Sequence, residues 1–329
     1  MKSFVDRTRT VTQLNERVGR LEEELRELET LAAKKPRAQN RVSRRARNPL
    51  DRRFIEVTMS LPFSKLSGTG NDFLIIDNRE GAVAPEAMAD FVRSVCRRAV
   101  SVGADGVIFV EHHPDLDFKW RYFNADGGEA EMCGNGSRCV ARWAFEKGIA
   151  GKSMRWETVA GVIHAEIVGE KGARVKLTGA KDYRPIEVNG GAEKMPGFFL
   201  NTGVPHTIFP VADVQTVDVR ALGRKVRHDG QFAPAGTNAS FVQVVGDNEL
   251  VIRTYERGVE DETLACGTGC VAAAASMVFN KKVHAPVALR VRSGETVRVD
   301  LTGDDPLGGE LWLEGDVRWV YDGVLREAF

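Results

Sequence analysis

Two short segments, Met132-Cys133-Gly134-Asn135-Gly136 and Ala265-Cys266-Gly267-Thr268-Gly269, each set a cysteine into a glycine turn ahead of an apolar, alanine-rich run. Residues 137–147 and 270–279 that follow read as helices, so each cysteine is predicted at a helix N-terminus. Unpaired backbone N–H groups and the macrodipole favour negative charge there, which predicts a lowered thiol pKa and a welcome for a carboxylate or phosphate. One such cysteine reads as a small buried hydrophobe. Two matched copies read as paired thiols. The upstream context repeats too: Trp120-Arg121-Tyr122-Phe123-Asn124 precedes Cys133, and Ile252-Arg253-Thr254-Tyr255-Glu256-Arg257 precedes Cys266. Strand, acidic loop, cysteine turn and helix thus occur twice, about 130 residues apart. An internal duplication is the economical explanation, with the two turns meeting between two similar halves.

A chain of 329 residues, 43% apolar and 28% charged, has room for two domains with real cores. Its net charge of zero gives no global electrostatic case for nucleic acid or acidic membranes. Five cysteines (Cys96, Cys133, Cys139, Cys266, Cys270) are too few and too unevenly spaced for a secreted disulfide framework. The N-terminus lacks the apolar core of a signal peptide, and no stretch approaches the roughly 20 apolar residues that span a bilayer. A soluble, cytoplasmic protein is expected.

Residues 1–60 differ from the rest and read as an N-terminal extension. Leu14, Val18, Leu21, Leu25, Leu28 and Ala32 form a short heptad seam, interrupted by Gly19. Residues 34–53 carry nine basic side chains against the single acid Asp51, with Pro36 and Pro49 as breakers. The expected reading is a solvated linker; a nucleic-acid or polyanion tether is the alternative. Met59, just before the first regular strand, could itself be a start codon.

From Leu61 onward, residues 73–77, 107–111, 118–122, 162–168, 175–177, 241–245, 250–255, 287–291, 296–301, 310–314 and 317–321 read as strands. Residues 85–99 read as a helix whose apolar face is Met88, Phe91, Val92 and Val95, with Cys96 packed beside it. Many strands around few helices predict an α/β fold of mixed sheets, each half wrapping a central helix. The expected division is 61–183 plus 318–329 for the first half and 184–317 for the second.

Taken together, Phe63-Ser64-Lys65-Leu66-Ser67-Gly68-Thr69-Gly70-Asn71-Asp72-Phe73 and Phe123-Asn124-Ala125-Asp126-Gly127 running to Cys139 resemble the diaminopimelate epimerase family. The second half agrees, through Gly203-Val204-Pro205-His206, Gly236-Thr237-Asn238-Ala239, Tyr255-Glu256-Arg257-Gly258 and the Cys266 turn. The resemblance covers about residues 61–329. It implies a cofactor-free enzyme of two similar α/β halves, usually dimeric, that interconverts LL- and meso-2,6-diaminopimelate for lysine and peptidoglycan synthesis. Inverting a carbon centre needs a proton removed from one face and delivered to the other, so a thiolate and a thiol must flank it. Cys133 and Cys266 are the predicted pair. Backbone N–H groups of Gly134, Asn135, Gly267 and Thr268 suit the substrate carboxylate and the charge that spreads onto it.

The resemblance further implies that Asn71, Asn124 and Asn238 bind substrate and that Arg257 grips the distal carboxylate. By the same resemblance Glu256 contacts the distal amine, and Glu256 and His206 tune thiol ionisation, an imidazole near a thiol being able to share its proton. Cys139 and Cys270 are expected in helix core. The chain departs from many relatives in having Val204 for asparagine, and Gly106 after Asp105 where others carry glutamine, which removes a polar neighbour of the site. Two alternatives are carried: another two-cysteine racemase of proline or hydroxyproline type, and a cysteine-based zinc module. No metal site is predicted for the first reading.

Overall fold

The computed structural model describes residues 60–177, 179–190, 194–303 and 305–326. The heptad seam and basic segment expected in the N-terminal extension lie outside the described residues.

The strands pair in one order, used twice. β1 (Leu61–Gly68) runs antiparallel to β2 (Asn71–Asp77), β2 parallel to β3 (Gly106–Glu111), and β3 antiparallel to β4 (Phe118–Asn124). The two-residue β5 (Glu129–Ala130) folds back on β4. β4 then runs parallel to β6 (Ser153–Thr158), which continues antiparallel through β7 (Gly161–Val168) to β8 (Gly172–Leu177). β9 (Lys181–Asn189) precedes the second pass. There, β10 (Lys194–Asn201), β11 (Pro205–Pro210), β12 (Asn238–Gly246), β13 (Glu249–Glu256), β14 (Asp261–Glu262), β15 (Val287–Arg290), β16 (Thr296–Thr302) and β17 (Glu310–Asp316) repeat the same sequence of parallel and antiparallel pairings. β18 (Arg318–Leu325) pairs with β1 as β9 pairs with β10, and β8 pairs with β17 to join the two passes. The halves are therefore pseudo-symmetric in topology.

Four α-helices occur among the described residues: α1 (Met88–Val95), α2 (Gly134–Glu146), α3 (Val219–Arg227) and α4 (Gly267–Phe279). Successive strand residues face opposite sides of a sheet. Phe73 and Ile75 accordingly pack in the core around α2, while Leu74 and Ile76 pack against α1. The second half repeats this, with Val242 and Ile252 toward α4 and Phe241 and Val251 toward α3. α4 is apolar on every side, a pattern that is stable only in a core. Its Ala272, Ala273, Ala274 and Ala275 are all buried, and such small side chains let the strands wrap it closely. Fully burying one Ile or Phe contributes about 1.5–3 kcal/mol, so a sheet covered on both faces gains twice from each strand.

The helix expected over 85–99 is shorter. A 3-10 turn at Pro85–Ala87 leads into α1, which is closed by the Cys96 N–H donating to the Val92 carbonyl. Ala99 just beyond has a φ of 64°, a left-handed backbone that no α-helix continues through. α3, which the sequence reading passed over, is capped by the Asp218 carboxylate accepting from the Ala221 N–H at 3.0 Å and carries Arg224, Lys225 and Arg227 in its last turn.

Candidate active site

Cys133 and Cys266 are the N-cap residues of α2 and α4, each with extended backbone (φ −142° and −119°). Both helices start at the glycine after the cysteine, three residues earlier than the apolar runs predict. Those glycines allow a close approach. A methyl added at Gly267 would lie 2.9 Å from Leu313 Cδ2 and 3.8 Å from the Gly134 Cα; one added at Gly134 would lie 3.2 Å from the same Leu313 atom. Leu313 of β17 thus underlies both helix starts, and the two N-termini abut. The anion-attracting ends of two helices converge on one spot.

Around Cys133, the Gly136 N–H donates to Sγ at 3.5 Å. Asn135 is buried, and its amide is committed on both sides: Nδ2 donates to Asn71 Oδ1 at 2.6 Å, and Oδ1 accepts from Arg138 Nη2 at 2.9 Å. Asn71 in turn donates to Asp105 Oδ2 at 3.0 Å, and Arg98 bridges Asp105 and Asp72 at 2.8 and 2.5 Å. The side chain of Asn135 is therefore spent inside the protein, while its backbone N–H faces the Cys133 sulfur. Arg138 is 0% exposed, donates also to the Thr69 hydroxyl, and keeps Nε and Nη1 without a partner among the described residues. Neither Arg138 nor Asp105 was singled out as a site residue from sequence.

Around Cys266, the Thr268 hydroxyl lies 3.5 Å from Sγ and 2.9 Å from His206 Nε2. His206 is fully buried at the start of β11, beside Asn238 at the start of β12. Asn238 Oδ1 accepts from the Arg257 backbone N–H at 2.7 Å, and its Nδ2 donates to the Pro205 carbonyl at 3.2 Å. The Arg257 guanidinium reaches the Ala235 carbonyl at 3.1 Å and forms no ion pair among the described residues. Glu256, at the end of β13, is likewise without a cationic partner there. A guanidinium and a carboxylate on successive residues, neither with an ion-pair partner among the described residues, are complementary to an amino acid's own carboxylate and ammonium. On the other half Asn124 is exposed at the end of β4, and its Oδ1 accepts from the Tyr122 hydroxyl at 2.8 Å.

Two electrostatic expectations are corrected. Burial pushes both thiols up rather than down: hydrogen bonds from the helix N-terminus and the Arg138 charge oppose this at Cys133, and the Thr268 hydroxyl and Gly269 N–H oppose it at Cys266 without winning. Cys266 is raised well above the ordinary thiol value, with the negative charge of Glu256 the second cause. Helix ends stabilise a thiolate only against a desolvation penalty that is larger in a closed core. His206 is pushed down to about 3 by burial and by the Arg257 charge, so at neutral pH it is an uncharged imidazole. It reaches Cys266 through Thr268, not by direct proton sharing. Burial raises Glu256, while its contacts with Thr263 and Cys266 pull the other way.

Cys139 and Cys270 lie in helix core as expected, 0% and 1% exposed, and all five cysteines are free thiols. No group of three or more His, Cys, Asp or Glu side chains among the described residues is arranged to hold a metal ion, so the zinc reading finds no ligand set there. Gly106 faces β4 closely. A methyl there would lie 2.4 Å from the Phe123 carbonyl oxygen, 2.7 Å from Tyr122 Cε2 and 3.3 Å from the Tyr122 hydroxyl, so the β4 backbone and the Tyr122 ring close that space together.

Solved structures share this architecture. A phenazine biosynthesis protein of the PhzF family from Bacillus anthracis superposes with a TM-score of 0.62 at 15% identity, over 81% of this chain and 99% of that one. A probable proline racemase from Agrobacterium radiobacter K84 gives 0.58 at 14% identity, over 80% and 92%. At such identities the likeness shows the fold alone. Sequence comparison reaches further. The diaminopimelate epimerase of Aquifex aeolicus is 46% identical over 281 residues, spanning 81% of this chain and 98% of its own. That of Archaeoglobus fulgidus is 41% identical over 281 residues, spanning 82% and 97%. Residues 63–182 and 198–320, which hold both cysteine turns and every strand-end residue described above, match the family described as diaminopimelate epimerase. The chain belongs to the diaminopimelate epimerase family.

Proposed function

We propose that this chain is an isomerase that interconverts LL- and meso-2,6-diaminopimelate, an epimerase working without pyridoxal phosphate, in lysine biosynthesis and the supply of peptidoglycan precursor. The observation that carries the reading is the convergence of two cysteine-capped helix starts over Leu313, with the Glu256 charge acting on both thiols and neither Glu256 nor Arg257 ion-paired among the described residues.

The substrate α-carboxylate sits between the two helix N-termini, on the backbone N–H groups of Gly134, Asn135, Gly267 and Thr268. One cysteine, as thiolate, takes the α-proton, and the C–H electron pair moves into the carbon–carboxylate system. Backbone N–H donors stabilise the oxygen charge that develops, one such donor being worth about 3 kcal/mol in activation free energy. The opposite cysteine, as thiol, returns a proton to the other face. Atoms and charge balance, and the two sulfurs exchange roles for the reverse direction. Asn71, Asn124 and Asn238 line the remainder of the site. Arg257 takes the distal carboxylate and Glu256 the distal ammonium, whose arrival offsets the burial that raises this carboxyl. His206, held neutral, orients Thr268 against Cys266. The resemblance extends the reading to a cytoplasmic homodimer, and five free thiols suit a reducing compartment.

The test is proton NMR in deuterated water, with LL-diaminopimelate and purified full-length chain, no cofactor added. Loss of the α-proton signal together with appearance of the meso isomer is expected. A chain inert toward diaminopimelate but exchanging the α-proton of proline would move the assignment to the proline type.

A further inference from the structure

Tyr122 was not among the residues that the sequence marked for the site, yet it stands in it. β4 carries it two residues before Asn124, and the ring packs edge-on to Phe73 at 5.9 Å, in the core around α2. Across the sheet, Gly106 opens β3 directly opposite Asn124. In the second half Asn238 opens the corresponding strand β12 and uses its side chain to bind the Arg257 backbone. Gly106 has no side chain, and the space where one would be is closed by the Phe123 carbonyl oxygen together with the Tyr122 ring edge and hydroxyl. That hydroxyl is 2.8 Å from Asn124 Oδ1. Burial holds the Tyr122 proton in place, and the charges of Cys133, Asp105 and Glu256 act in the same direction, so it donates. With its carbonyl oxygen taken, Asn124 is left with its two N–H groups, which have no protein partner among the described residues.

We propose that Tyr122 is a positioning residue: from the space over Gly106 it holds Asn124 by the side-chain carbonyl, so that the Asn124 amide donors face a carboxylate of the bound diacid. This rests on the reading of Asn124 as a substrate-binding residue. The first half thereby replaces a polar side chain on β3 with a hydroxyl reaching over from β4.

Tyr122→Phe keeps the ring and removes only the hydroxyl. Steady-state kinetics with diaminopimelate should show KM raised about five- to tenfold and kcat within about twofold of wild type, the loss of one hydrogen bond, with an unchanged thermal melt. In an Asn124→Ala background the same change should have no further effect, because Tyr122 acts through Asn124. Asn124→Asp accepts the Tyr122 hydrogen bond equally well but turns an oxygen toward the substrate, so its KM should exceed that of Asn124→Ala. The proposal is overturned if Tyr122→Phe leaves KM unchanged while Asn124→Ala raises it, if the two effects simply add, or if Asn124→Asp binds as well as wild type. Should Asn124→Ala itself leave KM unchanged in an active enzyme, the assignment of Asn124 falls and takes this proposal with it, while the epimerase reading stands.

Discussion

Cys133 and Cys266 cap helices of 13 residues each, with the same extended backbone and a glycine on either side of the second residue that follows. The side chains around them differ. Where α2 has Asn135 and Arg138, α4 has Thr268 and Val271 at the matching positions. The Cys133 turn thus holds a buried guanidinium that makes no ion pair among the described residues, whereas the Cys266 turn holds a neutral hydroxyl and faces Glu256. The backbone makes two equivalent anion sites, and the side chains decide which sulfur keeps its proton. Both thiols are raised by burial and by the charge of Glu256, which is the second cause at Cys266; only at Cys133 does a positive charge, that of Arg138, work against them. Of the two sulfurs, Cys266 is the one held further above the ordinary thiol value.

The most severe break is removal of either sulfur. Cys133→Ala and Cys266→Ala should each lower epimerisation by about 10²- to 10⁴-fold, the usual worth of a positioned acid or base, measured as meso product formed from the LL isomer. Retention of more than a tenth of the activity by either variant would leave no need for a sulfur on that face.

Arg138→Met removes the charge that distinguishes the first turn, and a side chain of similar volume keeps the core filled. The Cys133 thiolate loses its stabilising charge, so its pKa rises further. Iodoacetamide labelling of Cys133 at pH 7.5, followed by peptide mass spectrometry, should slow severalfold while that of Cys266 changes little. Equal slowing at both would show that the charge does not discriminate between the turns.

Glu256→Gln has the opposite sign. A negative charge beside a thiol raises its pKa, so neutralising the carboxylate lowers it and moves the labelling curve toward lower pH. Cys266 should label severalfold faster at pH 7.5 and Cys133 gain less, since Glu256 ranks lower among the causes acting there. Thr268→Val is the mildest probe. It cuts the link from Cys266 to the neutral His206, and loss of about one hydrogen bond should slow Cys266 labelling by about two- to threefold, leaving Cys133 untouched.

Much of this was legible in the chain itself. The doubled cysteine turn announced two helix starts, because glycine beside a capping residue ahead of an apolar run has few other uses. Residues 73–77 and 241–245 read as strands, and they lie in β2 and β12. Sequence also placed His206, Asn238, Glu256 and Arg257 in motifs that the fold brings to neighbouring strand ends. What it could not give was occupancy of space. Arg138 reads as an ordinary helix-surface arginine until the first turns of α2 are found buried among strands. Tyr122 reads as one more apolar strand residue until β3 is seen to begin with a glycine opposite it; a tyrosine two positions before Asn124, with Gly106 bare, was the available signal. The thiol pKa was misjudged for the same reason. A helix N-terminus is a local feature that spacing reveals, whereas desolvation depends on how much protein closes over it. Local periodicity and capping are written in neighbouring residues, so the sequence determined the elements and the chemistry at their ends. Burial and the pairing of distant charges are sums over the whole chain, and only the tertiary structure decided those.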